Sequence, residues 1–264
     1  MHIIVSLPIF CYLVIMKRVL PLLIILSLTL GGKAQSVADT SMLIHMLGFH
    51  LSGHLPGGDI AERYGANLGV GGSYMFKLKS NWMFSADFSF FSGNNFKQDY
   101  IFENLTDDAG IFINIYGEIG EVVFYERGFY AGLRAGKLFP VIGPNPNSGL
   151  LFNVSSGFLQ YKTLIHQDGK DIPSLNGDYK KGYDMLSNGL GVSQFIGYLH
   201  IDSDDPVNFY AGFEFHQAWT QNRRDYNFYT RGPDNEPRQD FLFGIRFGWL
   251  FPINKRVSTT HYYY

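Results

Sequence analysis

The sequence predicts an all-β protein: an eight-stranded antiparallel transmembrane β-barrel with long outer loops. Three observations carry this. Apolar residues alternate with small or polar ones in successive segments, the signature of two-faced strands. The segment Asp240–Phe251, DFLFGIRFGWLF, is the clearest: Phe241, Phe243, Ile245, Phe247, Trp249 and Phe251 share one face, and Gly244, Arg246 and Gly248 share the other. Charged residues make up 17% of the 264 residues and aromatics another 17%, against roughly 25% charged in an average soluble domain. Finally, connections alternate between short and long, as in barrels with short periplasmic turns and long outer loops.

The N-terminus reads as a targeting segment. Met16-Lys17-Arg18 gives a positive start, Val19 to Leu30 an apolar run, and Gly32-Lys33-Ala34 a small-x-small cleavage site. Residues 1–34 are therefore expected to be a signal peptide, with Met16 the expected start and the first fifteen residues an upstream extension. Removing them takes Lys17, Arg18 and Lys33 from the 21 basic residues, leaving 18 against 23 acids and a net charge of −5. The single cysteine goes too, so an exported chain without disulfides must be held by its core or by a membrane. No basic surplus points to nucleic acid. No stretch after residue 35 reaches the roughly 20 apolar residues of a membrane helix.

The barrel is expected over 35–251. Strands are expected at Met42–His54, Arg63–Phe76, Trp82–Phe91, Gly128–Pro140, Leu150–Ile165, Gly189–Ile201, Val207–Thr220 and Asp240–Phe251. Leu55–Ala61 reads as a turn, marked by Pro56-Gly57-Gly58-Asp59. The alternation within Leu150–Ile165 shifts near Ser155–Gly157 and suggests a bulge. Lys77–Asn81, Val141–Gly149 and Asp202–Pro206 are short connections; Ser92–Arg127, Gln167–Asn188 and Gln221–Arg238 are long. Ile111–Tyr125 is apolar, but making it a single barrel strand breaks the short–long alternation. It is assigned to an extra-barrel hairpin, giving eight strands with both termini periplasmic; ten is the alternative. Residues 252–264 form a periplasmic tail ending in Tyr262–Tyr264.

Trp82, Trp219 and Trp249 lie at strand ends on the apolar parity, as an interfacial belt requires. The opposite parity carries Asp87, Arg134, Glu214 and Arg246. Equidistance from the loops makes Asp87 face Arg134 and Glu214 face Arg246. An eight-stranded barrel is just wide enough to be filled by side chains, and buried charges there must be paired, so a structural polar plug is expected.

His45 and His50 lie on opposite faces; His50 and His54 share one, near a rim. With no usual ligand spacing, no metal site is expected, and no cofactor. Ser193, Glu214 and His216 could be a nucleophile and base, but no motif surrounds them. Asp59, Tyr183, Asp184, Arg223 and Arg224 lie in loops and are the candidate contact residues, since loops on a rigid scaffold commonly carry function and Tyr and Arg anchor interfaces.

The segments GFLQYK (Gly157–Lys162), KKGYDMLSNG (Lys180–Gly189), NFYAGFEFHQAWTQNRR (Asn208–Arg224) and GIRFGWLFPI, with the signal ending Lys33-Ala34-Gln35 and the terminal tyrosines, resemble a Bacteroidetes outer-membrane β-barrel family of small, porin-like members. The resemblance implies an integral outer-membrane location and carries over no site residue. The expected role is non-enzymatic: a structural or accessory barrel in contact with outer-membrane lipid, the barrel-insertion machinery and other envelope proteins. A narrow channel for small solutes and a lipid-modifying enzyme are the alternatives.

Overall fold

Eight strands close on themselves in the computed structural model, which describes residues 40–107, 110–167, 172–202 and 207–253. The signal segment 1–34 and most of the tail, from residue 254, lie outside the described residues. The strands are β1 (Ile44–Gly58), β2 (Asn67–Lys77), β3 (Trp82–Gly93), β4 (Val122–Phe139), β5 (Gly149–Gln167), β6 (Ser187–His200), β7 (Asn208–Asn222) and β8 (Pro237–Pro252). Each pairs antiparallel with its chain neighbours, and β1 closes the ring on β8 through Met46↔Pro252 to Gly58↔Asp240. Closure leaves no strand edge, the condition for a sheet to stand in lipid.

Alternation fixes the two surfaces. Leu47, Phe49 and Leu51 of β1, Phe213 and Trp219 of β7, and Phe243, Ile245, Trp249 and Phe251 of β8 are exposed on the outside. Neighbouring outward rings contact across strands, with Phe215 4.5 Å from Phe243 and Phe76 5.2 Å from Phe84. An outer wall this apolar, around an interior that also buries charged side chains, matches one that lipid surrounds. The strands run from 11 to 19 residues, beyond the roughly 9–11 needed to cross a bilayer, and the longest hairpin, β4–β5, carries the sheet out toward the long loops.

Several local expectations change. The strand expected to stop at His54 continues through Leu55-Pro56-Gly57-Gly58, so these residues are not a turn. Beyond His54, β1 has lost its β2 partner and pairs with β8 alone, and a one-sided edge tolerates a proline. Gly58 then ends the strand at φ 66°, where a Cβ would lie 2.2 Å from the Gln239 carbonyl oxygen. The connection to β2 is instead a short helix, α1 (Asp59–Arg63), so Arg63 is helical. No bulge interrupts β5, whose registers with β4 and β6 run unbroken through 155–157. Ser155, Ser156 and Gly157 are small on both faces, which erases the polarity contrast that marks register. The hairpin expected over Ile111–Tyr125 shrinks to Phe112–Ile113 paired with Ile119–Gly120, while Val122–Tyr125 opens β4 against Leu164–Gln167.

Three layers fill the interior. At the short-turn end an apolar plug draws on all eight strands, including Met46, Met75, Met83, Leu138, Leu151, Phe195, Tyr210 and Leu250. Above it lies a charged layer. Beyond that, Tyr64, Phe91, Tyr130, Leu159, Tyr161 and Leu242 pack together. A fourth cluster, with Ile101, Phe102, Ile165, Leu175, Tyr183 and Met185, joins the long loops to the upper wall.

Candidate functional site

The charged layer is built from four strands. Asp87 on β3, Arg134 on β4, Glu214 on β7 and Arg246 on β8 are all buried. They are not direct cross-strand mates: Asp87 faces Gly132, Arg134 faces Ser85, Glu214 faces Gly244 and Arg246 faces Gly212. The expected registers were two residues off, because equidistance from a loop ignores how many loop residues each strand absorbs. The long side chains span the offset. Arg134 Nε donates to Asp87 Oδ2 at 2.5 Å and its Nη2 to Glu214 Oε1 at 2.7 Å, while Arg246 Nη1 donates to the same Oε1 at 2.7 Å. Arg134 also reaches Asn153 Oδ1 at 2.8 Å, and Arg246 reaches the Tyr210 hydroxyl at 3.2 Å. Glycines opposite Asp87, Glu214 and Arg246, and serines opposite Arg134, leave room for this lateral reach. Two acids and two arginines cancel formally, as a low-dielectric interior demands.

His50 and His54, which share the inward face, are both deeply buried rather than at a rim. His50 Nε2 lies 2.7 Å from Ser89 Oγ, and Arg246 Nη2 lies 3.0 Å from the same ring. Ser193, Glu214 and His216 do meet: Ser193 Oγ donates to Glu214 Oε1 at 3.2 Å, and His216 Nε2 lies 3.2 Å from Glu214 Oε2. The serine hydroxyl is engaged by the acid and not by the imidazole, and the carboxylate oxygen it meets is already held by Arg134 and Arg246. The group is enclosed between the apolar plug and the aromatic layer.

At the loop end the structure corrects the candidate contacts. Tyr183 and Asp184 are buried. The Tyr183 ring sits 5.5 Å from Phe102 and 5.2 Å from Phe228. Asp184 accepts hydrogen bonds from Arg224 Nε, at 2.7 Å, and from Arg224 Nη2. This bidentate pair ties the loop before β6 to the loop before β8, and Asp184 as acceptor holds the Arg224 guanidinium above its usual range. Arg223 is exposed and donates to Asn188 Oδ1 at 2.7 Å. Asp59 is half-buried, its carboxylate accepting from the Gln239 amide at 2.7 Å. Burial pushes the Asp234 carboxyl up, but hydrogen bonds from Arg238 and Asn222 outweigh it and hold the group below the usual carboxylate range. The tyrosine and acid chosen as contacts are thus internal braces, because loops this long bury part of their own sequence. Residues passed over form the exposed crown with Tyr226: Tyr100, Ile115, Tyr116, Ile119, Tyr179 and Tyr229. Their signal was present as apolar residues within otherwise polar loops.

The tryptophans face outward, Trp82 and Trp249 toward the short-turn end and Trp219 toward the long-loop end. Lys137 lies over the Trp82 ring at 5.6 Å, a cation–π contact.

No protein-family model matches the chain, and no curated protein is matched either. Among solved structures, it is similar to Neisserial surface protein A, with 9% identity, a TM-score of 0.40, and coverage of 78% of this chain and 97% of that one. It is similar to the attachment invasion locus protein Ail of Yersinia pestis at 7% identity and a TM-score of 0.39, covering 80% and 99%. The N-terminal β-barrel domain of Pseudomonas aeruginosa OprF aligns at 13% identity and a TM-score of 0.35, covering 80% and 100%.

Proposed function

We propose that the protein is an integral β-barrel of the outer membrane, non-enzymatic, whose braced loops are its working surface toward other envelope proteins. The filled interior is the observation that supports this best: an apolar plug contributed by every strand, a neutralised charge layer and an aromatic layer leave the loops as the accessible polar surface. The same filling argues against a solute channel, and the enclosure of Ser193, Glu214 and His216 argues against lipid modification. On this reading residues 1–34 direct export, the short turns face the periplasm, and Trp82, Trp219 and Trp249 mark the two interfaces. The attribution to Bacteroidetes barrels rests on the resembling segments alone.

Mild detergent extraction of the full chain tests the reading. A partner should co-purify with the native protein and be lost from the folded variant Tyr116→Ser/Tyr226→Ser/Tyr229→Ser. A native protein that elutes alone as a monomer, or a partner retained by the variant, overturns the loop surface. Planar-bilayer recordings should show no steady conductance; a reproducible open level would restore the channel.

A further inference from the structure

The upper edge of the charged layer holds a feature that charge neutralisation does not use. His54 on β1 and Glu214 and His216 on β7 bring one ring nitrogen, one carboxylate oxygen and another ring nitrogen within 4.8 Å of one another. All three residues are more than nine-tenths buried. Two ring nitrogens there, His54 Nε2 and His216 Nδ1, have no hydrogen-bond partner among the described residues, and a buried nitrogen without a partner calls for an explanation, a bound ion among them.

The hydrogen bonding fixes what His54 offers. Its Nδ1 lies 2.9 Å from Asn67 Oδ1, an atom that can only accept, so Nδ1 carries the proton. Asn67 Nδ2 donates to Glu126 Oε2 at 2.9 Å, which holds the amide in that orientation. His54 Nε2 is therefore a bare lone pair in the neutral ring. An imidazole whose far nitrogen is tied to an oxygen acceptor is the usual outer-shell support of a metal-binding histidine. Glu214 is prepared in the same way: Arg134, Arg246 and Ser193 all address Oε1, leaving Oε2 toward His216.

The backbone is shaped to let these side chains meet. β8 lies between β1 and β7, and Gly244 is the residue opposite both His54 and Glu214. A Cβ at Gly244 would lie 2.5 Å from His54 Cδ2, so the absent side chain is what allows the imidazole to lean across β8. Phe91 and Tyr130 wall the pair of rings, at 6.4 Å from His54 and 4.9 Å from His216.

We propose that His54, His216 and Glu214 form a binding site for a divalent first-row transition-metal ion, buried inside the barrel and tying β1 to β7 across β8. Two imidazoles and one carboxylate are the donor set that zinc accepts. Ligand atoms of a tetrahedral zinc site stand roughly 3.3 Å apart, given bonds near 2.0–2.1 Å. The present spread therefore has to contract by roughly 1.5 Å, within the reach of rotamer adjustment. Glu126, a buried carboxyl group, stands behind Asn67, two hydrogen bonds from His54. The site was not legible as a motif, because residues 54, 214 and 216 converge only when the barrel closes.

The untagged full chain, refolded into detergent with zinc alone and freed of excess metal, tests the proposal. We expect about one zinc per folded chain by elemental analysis. His54→Gln and His216→Gln should hold less than a tenth of that, and His200→Gln should keep it. Cobalt refolded in zinc's place should show visible absorption of a low-symmetry nitrogen and oxygen site. Folded native protein with no zinc above background overturns the site, as does a folded His54→Gln/His216→Gln double variant that retains it. Should the histidine variants not fold, the native stoichiometry and the cobalt spectrum decide between the same two outcomes.

Discussion

Glu214→Gln is the sharpest probe of the charged layer. The carboxylate accepts from Arg134 and Arg246 at 2.7 Å each through Oε1. The substitution keeps shape and one acceptor but leaves two buried arginines facing Asp87 alone, which is 2.5 Å from Arg134 and 3.7 Å from Arg246. Each lost attraction is worth about 4 kcal/mol gross at an effective dielectric of 20, and no longer burying the Glu214 charge returns several kcal/mol of desolvation. The net loss expected is about 3–5 kcal/mol, the range for breaking one partner out of a buried pair. Reversible urea unfolding in detergent reads it through the fluorescence of the three tryptophans, with a chelator present so that metal does not contribute. Adding Arg246→Met to Glu214→Gln restores formal neutrality, so the double variant should be more stable than the sum of the singles by at least about 1.5 kcal/mol. A single-variant loss under about 0.5 kcal/mol, or singles that add within that margin, would refute the view that these charges sustain one another.

Other expectations concern the wall, the barrel backbone and the loops. Phe247→Arg, on the outer face of β8, should cost about 2–4 kcal/mol if lipid meets that face near the midplane; unchanged unfolding in vesicles would count against the membrane orientation. Gly244→Ala places a methyl 2.5 Å from the Gly53 carbonyl oxygen as well as from His54, and since backbone cannot yield as a side chain can, a loss of about 1–3 kcal/mol is expected from equilibrium unfolding. In the loop before β8, the folded Asp234 carboxyl lies below its unfolded value. Its contribution should be full above about pH 3.9 and fade as pH falls through the lower folded value. Amide exchange around residues 223–236 should accelerate over that acid window, and Arg238→Gln should remove the pH dependence; exchange that is equally pH-sensitive in the variant would exclude the pair as its cause.

The sequence by itself determined which residues face outward and which face inward, because that depends only on the two-residue period of a strand. Loop lengths then determined the number of strands and put both ends of the barrel at the short-turn end. Phe243, Ile245 and Phe247 outside and Arg246 inside are written into one segment of β8. Register was decided by tertiary structure, since it depends on how far each strand extends into its loops: Val122–Tyr125 reads as part of an extra-barrel hairpin but pairs within the barrel, and Asp87 meets Arg134 two residues off the expected pairing. Loop burial was decided there too, which is why Tyr183 and Asp184 brace the loops while Tyr116 and Tyr229 are presented outward. The meeting of His54 with Glu214 and His216 likewise required closure, because the contact joins the first strand to the seventh through a glycine on the eighth, a proximity that no local pattern encodes.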